Sequence, residues 1–405
     1  MKHFSLDQFI AQYVTARDES LFAADLATHD ALLRQQISGK SALVIGGAGT
    51  IGSSFIRALL QYGPARLFVV DTNENGLTEL TRDLRSRADL TVPDDYKPYP
   101  IDFGGTVFAK MLANEGPFDI VANFAAHKHV RSEKDRYSIE AMVDNNVLKA
   151  KHLLELLLAY PPQHFFCVST DKAANPVNVM GASKKLMEEV ILAYSNRLKI
   201  TTARFANVAF SNGSLLFGFI ERMMKGQPLS SPSDVKRYFV SPAESGQLCL
   251  LACIVGQTGE IVFPNLREEQ MRTFSSIAED FLREYGNYRP RYCSSEQEAR
   301  EAAAALGPDA QEYPVFFFGS TTSGEKQFEE FYTEGEEIDR ERFEQLGVIK
   351  NAPRKSAQDL EVMFAKLNAL FQDSHIDKAA IVRLITNFIP NFEHIETGRS
   401  LDQKM

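Results

Sequence analysis

The sequence predicts an α/β fold built on a doubly wound parallel sheet of the Rossmann-like type. A smaller C-terminal subdomain and an N-terminal helical extension complete it. Three observations carry the prediction. Short apolar runs recur roughly every 20 to 30 residues, with helix-like segments between them. The first run ends in a cluster of glycines that opens a helix. The second run ends in an acidic residue, Asp71.

The elements follow in order. Residues 1–38 read as amphipathic helix, because "FIAQYV" and "LFAADLATHDALLRQQI" space their apolar residues by three and four. "SALVIGG" reads as a buried parallel strand, and "SSFIRALLQYG" as a helix closed by Gly63-Pro64. "RLFVVD" is the second strand, "GLTELTRDLRSR" a helix, "YKPYPIDF" the third strand and "FDIVANFAA" the fourth. A long helix, "IEAMVDNNVLKAKHLLELLLAY", leads to a fifth strand, "HFFCVST". "GASKKLMEEVILAYSNR" is the next helix and "KITTARFANV" the sixth strand. After Asn207 the rhythm breaks into turn-rich sequence. Residues 285–312 are polar and Ala/Glu-rich and read as a solvated helical insertion. The end of the chain, "HIETGRSLDQKM", reads as a loose tail. The expected division is a helical extension (1–38), a dinucleotide-binding domain (39–210), a substrate subdomain with some return to the core (211–350), and a C-terminal helical extension (351–405).

A net charge of −9 argues against non-specific binding to nucleic acid. The four cysteines form no CxxC pair, so core thiols in a reducing cytoplasm are expected, with no metal site. The N-terminus lacks an apolar signal core, and no stretch is apolar enough to span a membrane.

"GGAGTIG" places Gly46, Gly49 and Gly52 between a strand and a helix. Glycines there allow a tight turn and a close backbone approach to a pyrophosphate, which the helix N-terminus, with Thr50 and Ile51, then receives. Asp71 is placed to accept from an adenosine ribose hydroxyl and to repel a 2′-phosphate, which favours NAD over NADP. Asp102 follows the third strand as an adenine contact or a turn residue. In "NFAAHKHV" the small residues Ala125 and Ala126 let the backbone run beside the cofactor, and His129 reads as facing cofactor or substrate.

"CVSTDKAANPVNVMGASKK" contains a Met-x-x-x-Lys pair, Met180 and Lys184, and an acid beside a base, Asp171 and Lys172. Together with "VIGGAGTIG", "RFANVAFSNGS", "KRYFV" and "SGEKQFEEF", this segment resembles the extended short-chain dehydrogenase/reductases that modify nucleotide sugars. The resemblance is greatest to the UDP-N-acetylglucosamine 4,6-dehydratases of bacterial polysaccharide biosynthesis, in which a Met stands where relatives have Tyr. It covers roughly residues 40 to 335.

The resemblance implies a lyase that uses NAD to oxidise the sugar at C4, eliminates water across C5 and C6, and returns hydride to C6. It places Thr170 against the C4 oxygen, Lys172 as the C5 base and Asp171 as the acid at the C6 hydroxyl. Asp171 would also take the C4 hydroxyl proton in place of the missing tyrosine, with Met180 packing beside the substrate. Lys184 would hold the nicotinamide ribose. Asn146, Asn207, Ser214, Arg237 and Glu325 would join His129 in binding the nucleotide sugar. Thr322-Ser323 departs from the Arg-Pro that relatives carry before Gly-Glu-Lys, which leaves UDP, GDP and dTDP all open. A homo-oligomer paired through the helices near 138–160 and 180–197 is implied. Two other readings stay open: an epimerase of the same superfamily, and a non-catalytic NAD-binding sensor or scaffold.

Overall fold

The computed structural model describes residues 4–320, 330–373 and 375–396. Among the described residues the central sheet has nine strands. They are β1 (Ser41–Ile45), β2 (Arg66–Asp71), β3 (Asp95–Pro100), β4 (Ile120–Asn123), β5 (His164–Val168), β6 (Ile200–Ala203), β7 (Glu260–Pro264), β8 (Ile338–Asp339) and β9 (Leu346–Ile349). Their spatial order is β8-β9-β7-β6-β5-β4-β1-β2-β3. The stretch from β7 to β3 is parallel throughout. β9 returns antiparallel to β7, and β8 antiparallel to β9. This is the doubly wound α/β fold. Chain order reverses between β1 and β4, and that switch point opens the crevice in which such sheets bind ligands. β4, β5 and β6 are buried along their whole length, as strands covered on both faces must be. β3 carries Pro98 and Pro100 and lies at the sheet edge, where a missing N–H donor is tolerated.

The N-terminal reading needs correction. One continuous helix is predicted, but Leu6–Phe9 runs into a π-turn, Ile10–Thr15, that stops at Ala16 in the left-handed region (φ 52°). Helix resumes at Ala23–Ile37. The polar "ARDES" between them has no apolar face to bury. Arg17 instead donates from Nε and Nη2 to the Glu244 carboxylate, both at 2.8 Å. The two halves dock on different cores. Phe9, Ile10 and Val14 pack with Phe210 and Phe281, whereas Phe22, Leu33 and Ile37 join the core under the sheet.

Residues 285–312 are not a plain solvated helix. Arg289–Tyr292 is a strand parallel to Glu312–Phe318, which itself pairs with Leu229–Pro232. Between those two strands Glu296–Ala304 is helical, and it buries Ala299, Ala302 and Ala303. The alanines that suggested a solvated helix form its packed face.

The C-terminal extension is helical, as expected, and its helices are packed against the core. Ala357–Gln372 buries Leu360, Met363, Phe364 and Leu367, and Lys378–Phe388 buries Ile381 and Ile385. The second of these helices packs on Arg136–Val143 and on Val179–Ala193, the helices expected to pair two copies of the chain. From Val179 to Leu192 every residue of that helix is buried, Lys185, Glu188 and Glu189 included. The chain's own extension thus covers part of the surface of these two helices, while His152, Glu155 and Ala159 on the following helical stretch stay exposed. Residues 397–405 lie outside the described residues.

Candidate active site

The glycine turn is held by close contacts. Gly46 has φ +74°, and a Cβ there would lie 2.4 Å from the Ala125 nitrogen. A Cβ at Gly52 would lie 2.3 Å from the Gly46 carbonyl oxygen. The chain itself thus requires both glycines. At Gly49, which caps the Thr50–Leu60 helix, a Cβ would meet only the Gly46 oxygen at 3.4 Å. The bare backbone at Gly49 leaves room in front of the helix N-terminus. That fits a pyrophosphate and the N–H donors available there. Asp71 closes the turn from β2: Oδ2 accepts from the Ala48 N–H at 3.0 Å and Oδ1 from the Asn73 N–H at 2.9 Å. Each oxygen keeps acceptor capacity for a ribose hydroxyl. Thr50 accepts from the Asn212 N–H at 2.9 Å, so it ties the turn to the second subdomain. Ile51 packs against the main core. Asp102 is an ion-pair partner of Lys149 at 2.6 Å, and its other oxygen accepts from the Gly104 N–H.

On the other side of the switch point, the backbone of Ala125 and Ala126 is held by Asn123, whose side-chain oxygen accepts from the Ala125 N–H at 3.0 Å. Next comes the loop after β5. Thr170 caps the short turn Asp171–Ala173. Asp171 is 3% exposed. Its Oδ1 accepts from Thr170 Oγ1 at 2.8 Å, from the Lys172 N–H at 2.9 Å and from Lys172 Nζ at 3.1 Å. No described hydrogen bond reaches Oδ2. An exposed pair would be worth about 0–1 kcal/mol, but this pair is side-chain 4% and 20% exposed and is not a surface ion pair.

Asn178 caps the Val179–Ala193 helix, which carries Met180 (3% exposed) and Lys184. That helix starts hard against the Asp171 turn: a Cβ on Gly181 would lie 2.5 Å from the Lys172 carbonyl oxygen. Lys184 Nζ donates to the Val168 carbonyl at 2.6 Å, at the end of β5. Burial pushes its ammonium pKa down, against the opposing pull of Cys167 and Glu188.

A cavity of about 840 Å³ lies in the second subdomain, with His129, Asn207 and Ser214 in its wall. Ser214 caps the Leu215–Met224 helix by accepting from the Phe217 N–H at 3.2 Å. Burial, then the charges of Lys128, Arg131 and His127, push the His129 imidazole below its ordinary pKa. Four polar atoms in this wall are buried without a hydrogen-bond partner among the described residues: Asn207 Nδ2, Arg222 Nε, Ser230 Oγ and Ser231 Oγ. Each such atom costs about 1–3 kcal/mol unless something bonds to it, so a polar ligand would suit this wall. Ser230 and Ser231 were not legible as site residues. Two adjacent serines before a proline read as a turn, and only the three-stranded sheet turns them into a cavity wall.

Two further expected ligand residues lie outside the cavity wall and bond within the protein. The side-chain amide of Asn146 is spent on the protein: Oδ1 accepts from the His127 N–H at 2.9 Å, and Nδ2 donates to the His127 carbonyl and to Ser183 Oγ, each at 3.0 Å. It sits in a π-turn, Asp144–Leu148, within the long helix. That local irregularity points the amide at the loop instead of a ligand. Arg237 is 5% exposed on a short strand paired with Arg272–Thr273, and Nη1 donates to its neighbour's carbonyl. It does not line the cavity, and neither do Thr170, Asp171, Lys172 and Met180. Glu325, with Thr322 and Ser323, lies outside the described residues.

Comparison with known proteins supplies the wider setting. A family described as "Polysaccharide biosynthesis protein" matches residues 42–351. The chain is 32% identical over 258 residues to an uncharacterized membrane protein of Methanocaldococcus jannaschii, covering 62% of this chain and 74% of that protein. It is 28% identical to the capsular polysaccharide biosynthesis protein CapD of Staphylococcus aureus, covering 67% of this chain but 47% of CapD, so it spans about half the length of that relative. No helix among the described residues is long and apolar enough to cross a membrane. Among solved structures, Pen from Bacillus thuringiensis superposes with a TM-score of 0.62 at 19% identity, covering 82% of this chain and 98% of Pen. DesIV, a dTDP-glucose 4,6-dehydratase from Streptomyces venezuelae solved with NAD and TYD bound, superposes at 0.55 with 20% identity, covering 79% of this chain and 94% of DesIV. At those identities the two structures speak for the fold.

Proposed function

The chain belongs to the polysaccharide biosynthesis protein family, and from that premise we propose that it is an NAD-dependent nucleotide-sugar 4,6-dehydratase. Its substrate is UDP-N-acetylglucosamine or a close relative. The observation that carries this reading is Asp171: buried at the end of β5, tied through one oxygen to Thr170 and Lys172, with no described hydrogen bond at the other oxygen. A module that only bound NAD would have no use for that arrangement.

The glycine turn, Asp71 and Lys184 would hold NAD, which when bound would supply the hydride acceptor at sugar C4 and the hydride donor at C6. The chain's own groups move the protons. Asp171 Oδ2 accepts the C4 hydroxyl proton while Thr170 Oγ1 fixes that oxygen. The resulting 4-ketone acidifies C5–H, and Lys172 Nζ, entering this step as the neutral amine, removes that proton. Asp171, now protonated, gives its proton to the departing C6 hydroxyl, and water leaves. As hydride reaches C6, Lys172 returns a proton to C5. One carboxyl thus serves as base and then as acid, and Met180 packs beside the reacting sugar. The cavity with its four unpaired polar atoms takes the nucleotide portion. On this reading residues 39–210 hold the cofactor and 211–350 the substrate. The four buried free thiols suit the reducing cytoplasm we propose for the enzyme.

The test is absorbance of the purified protein on addition of UDP-N-acetylglucosamine, with NMR of the product. A transient reduced-nicotinamide band and a 4-keto-6-deoxy sugar are expected. Absence of both with UDP, GDP and dTDP sugars alike would overturn the reading.

A further inference from the structure

The family match stops at residue 351, yet the chain beyond it runs directly onto the loop that joins Lys172 to Met180. Asn391 Nδ2 donates to the Ala174 carbonyl at 3.1 Å. The Glu393 N–H donates to the Pro176 carbonyl at 3.2 Å, and the Ile395 N–H to the Val177 carbonyl at 3.0 Å. His394 Nε2 lies 2.5 Å from Glu133 Oε1, while Glu133 Oε2 accepts from the Val179 N–H at 2.6 Å. Glu133 therefore joins the tail to the first turn of the helix that carries Met180. Lys378 Nζ, 3.2 Å from Glu133 Oε1 and 2.5 Å from Glu396, offsets part of the acidic charge of this cluster. The buried residues Ile389 and Phe392 anchor the strap to the core on the way in.

We propose that residues 391–395 are a positioning strap for the 173–179 loop, with His394 acting through Glu133 to set the Met180 helix against the Thr170–Lys172 turn. The physical basis is the loop's backbone. Residues between the Asp171 turn and Val179 have no regular structure to satisfy their carbonyls, and buried or half-buried carbonyls must find partners. The tail supplies three of those partners. None of these strap residues touches substrate, so they are positioning residues. The inference rests on reading residues 170–184 as the catalytic segment.

The test uses the full-length, NAD-loaded protein and its Ile395→Pro, His394→Ala and His394→Gln variants. Proline removes the 395 N–H; glutamine keeps a donor for Glu133. Amide hydrogen exchange of peptides covering 173–180 should quicken on the order of tenfold in Ile395→Pro and His394→Ala, with other regions unchanged. Turnover should fall at least tenfold with KM unmoved, and His394→Gln should recover most of it. Unchanged exchange in both variants overturns the proposal. So does faster exchange spread over the whole chain, or local loosening with full kcat. If wild-type protein turns over no nucleotide sugar, the dehydratase reading fails, while the exchange experiment still decides whether the strap holds the loop.

Discussion

Substituting Gly181 by Ala puts the proposed geometry under direct strain. The added Cβ would lie 2.5 Å from the Lys172 carbonyl oxygen and 3.3 Å from Asn178 Oδ1. A carbon–oxygen contact relaxes near about 3.3 Å, so helix and turn must separate by roughly 0.8 Å. The first obstacle is backbone, so no side chain can swing aside. Overpacking of this kind costs about 1–3 kcal/mol, offset in part by the ~1 kcal/mol that Ala gains over Gly inside a helix. The fold should survive. Catalysis should not, because a displacement near 1 Å between reacting groups costs about 100-fold. The expected result is a kcat lowered about 100-fold, with NAD affinity within about threefold of wild type, read by product formation and cofactor titration. Gly307→Ala is the control, since a Cβ there meets nothing within 4 Å. Wild-type kcat in Gly181→Ala would refute the claim that the close approach of helix and turn sets the reacting geometry.

Other consequences are testable in the same preparations. Asp171→Asn should lower turnover by about 10²–10⁴-fold, as loss of a general acid–base does, while NAD still binds by fluorescence titration. Gly46→Ala should abolish cofactor binding, because its Cβ meets the Ala125 backbone and its φ is positive; calorimetry with NAD reads this. Burial holds His164 at about 4, so the folded protein resists a proton that the unfolded chain takes up below about 6.5. Stability should therefore fall between pH 6.5 and pH 4 by up to about 1.4 kcal/mol per pH unit, and His164→Gln should flatten that limb in urea titrations. Against the upward pull of burial, Arg204, Lys185 and Ser169 hold Glu188 at about 2. Its contribution is present above its ordinary value of 4.5 and is lost as pH falls towards 2. Glu188→Gln should destabilise the protein at pH 7 by about 3–5 kcal/mol, because Arg204 is then left buried with a poorer partner.

What could be read from the sequence was what is local in the chain. Most of the first six strands announced themselves as apolar runs, and Gly46, Gly49 and Gly52 sit within one turn, so their geometry needs no distant partner. Asp171 and Lys172 could be placed because a strand end in this fold is already a site. What was not legible has a different physics. Asn146 sits on a helix, where sequence does not say which way an amide points, and a π-turn decides it. The Arg289–Tyr292 strand was hidden because helix signals in the neighbouring Ala/Glu run outweighed four residues that include a proline. Ser230 and Ser231 become a cavity wall only through pairing with a strand more than eighty residues later. The tail is the clearest case. Nothing in "NFEHIE" announces that it will bond to residues 174–177, over two hundred positions earlier, because backbone donors carry no sequence signature.

The most direct measurement of the central claim is mass spectrometry of the sugar nucleotide after incubation of the NAD-loaded protein with UDP-N-acetylglucosamine in heavy water. The account predicts loss of one water and one solvent deuterium carried at C5, because Lys172 exchanges its proton before returning it. Deuterium at C5 without loss of water, or an unchanged sugar with UDP, GDP and dTDP donors alike, would contradict it.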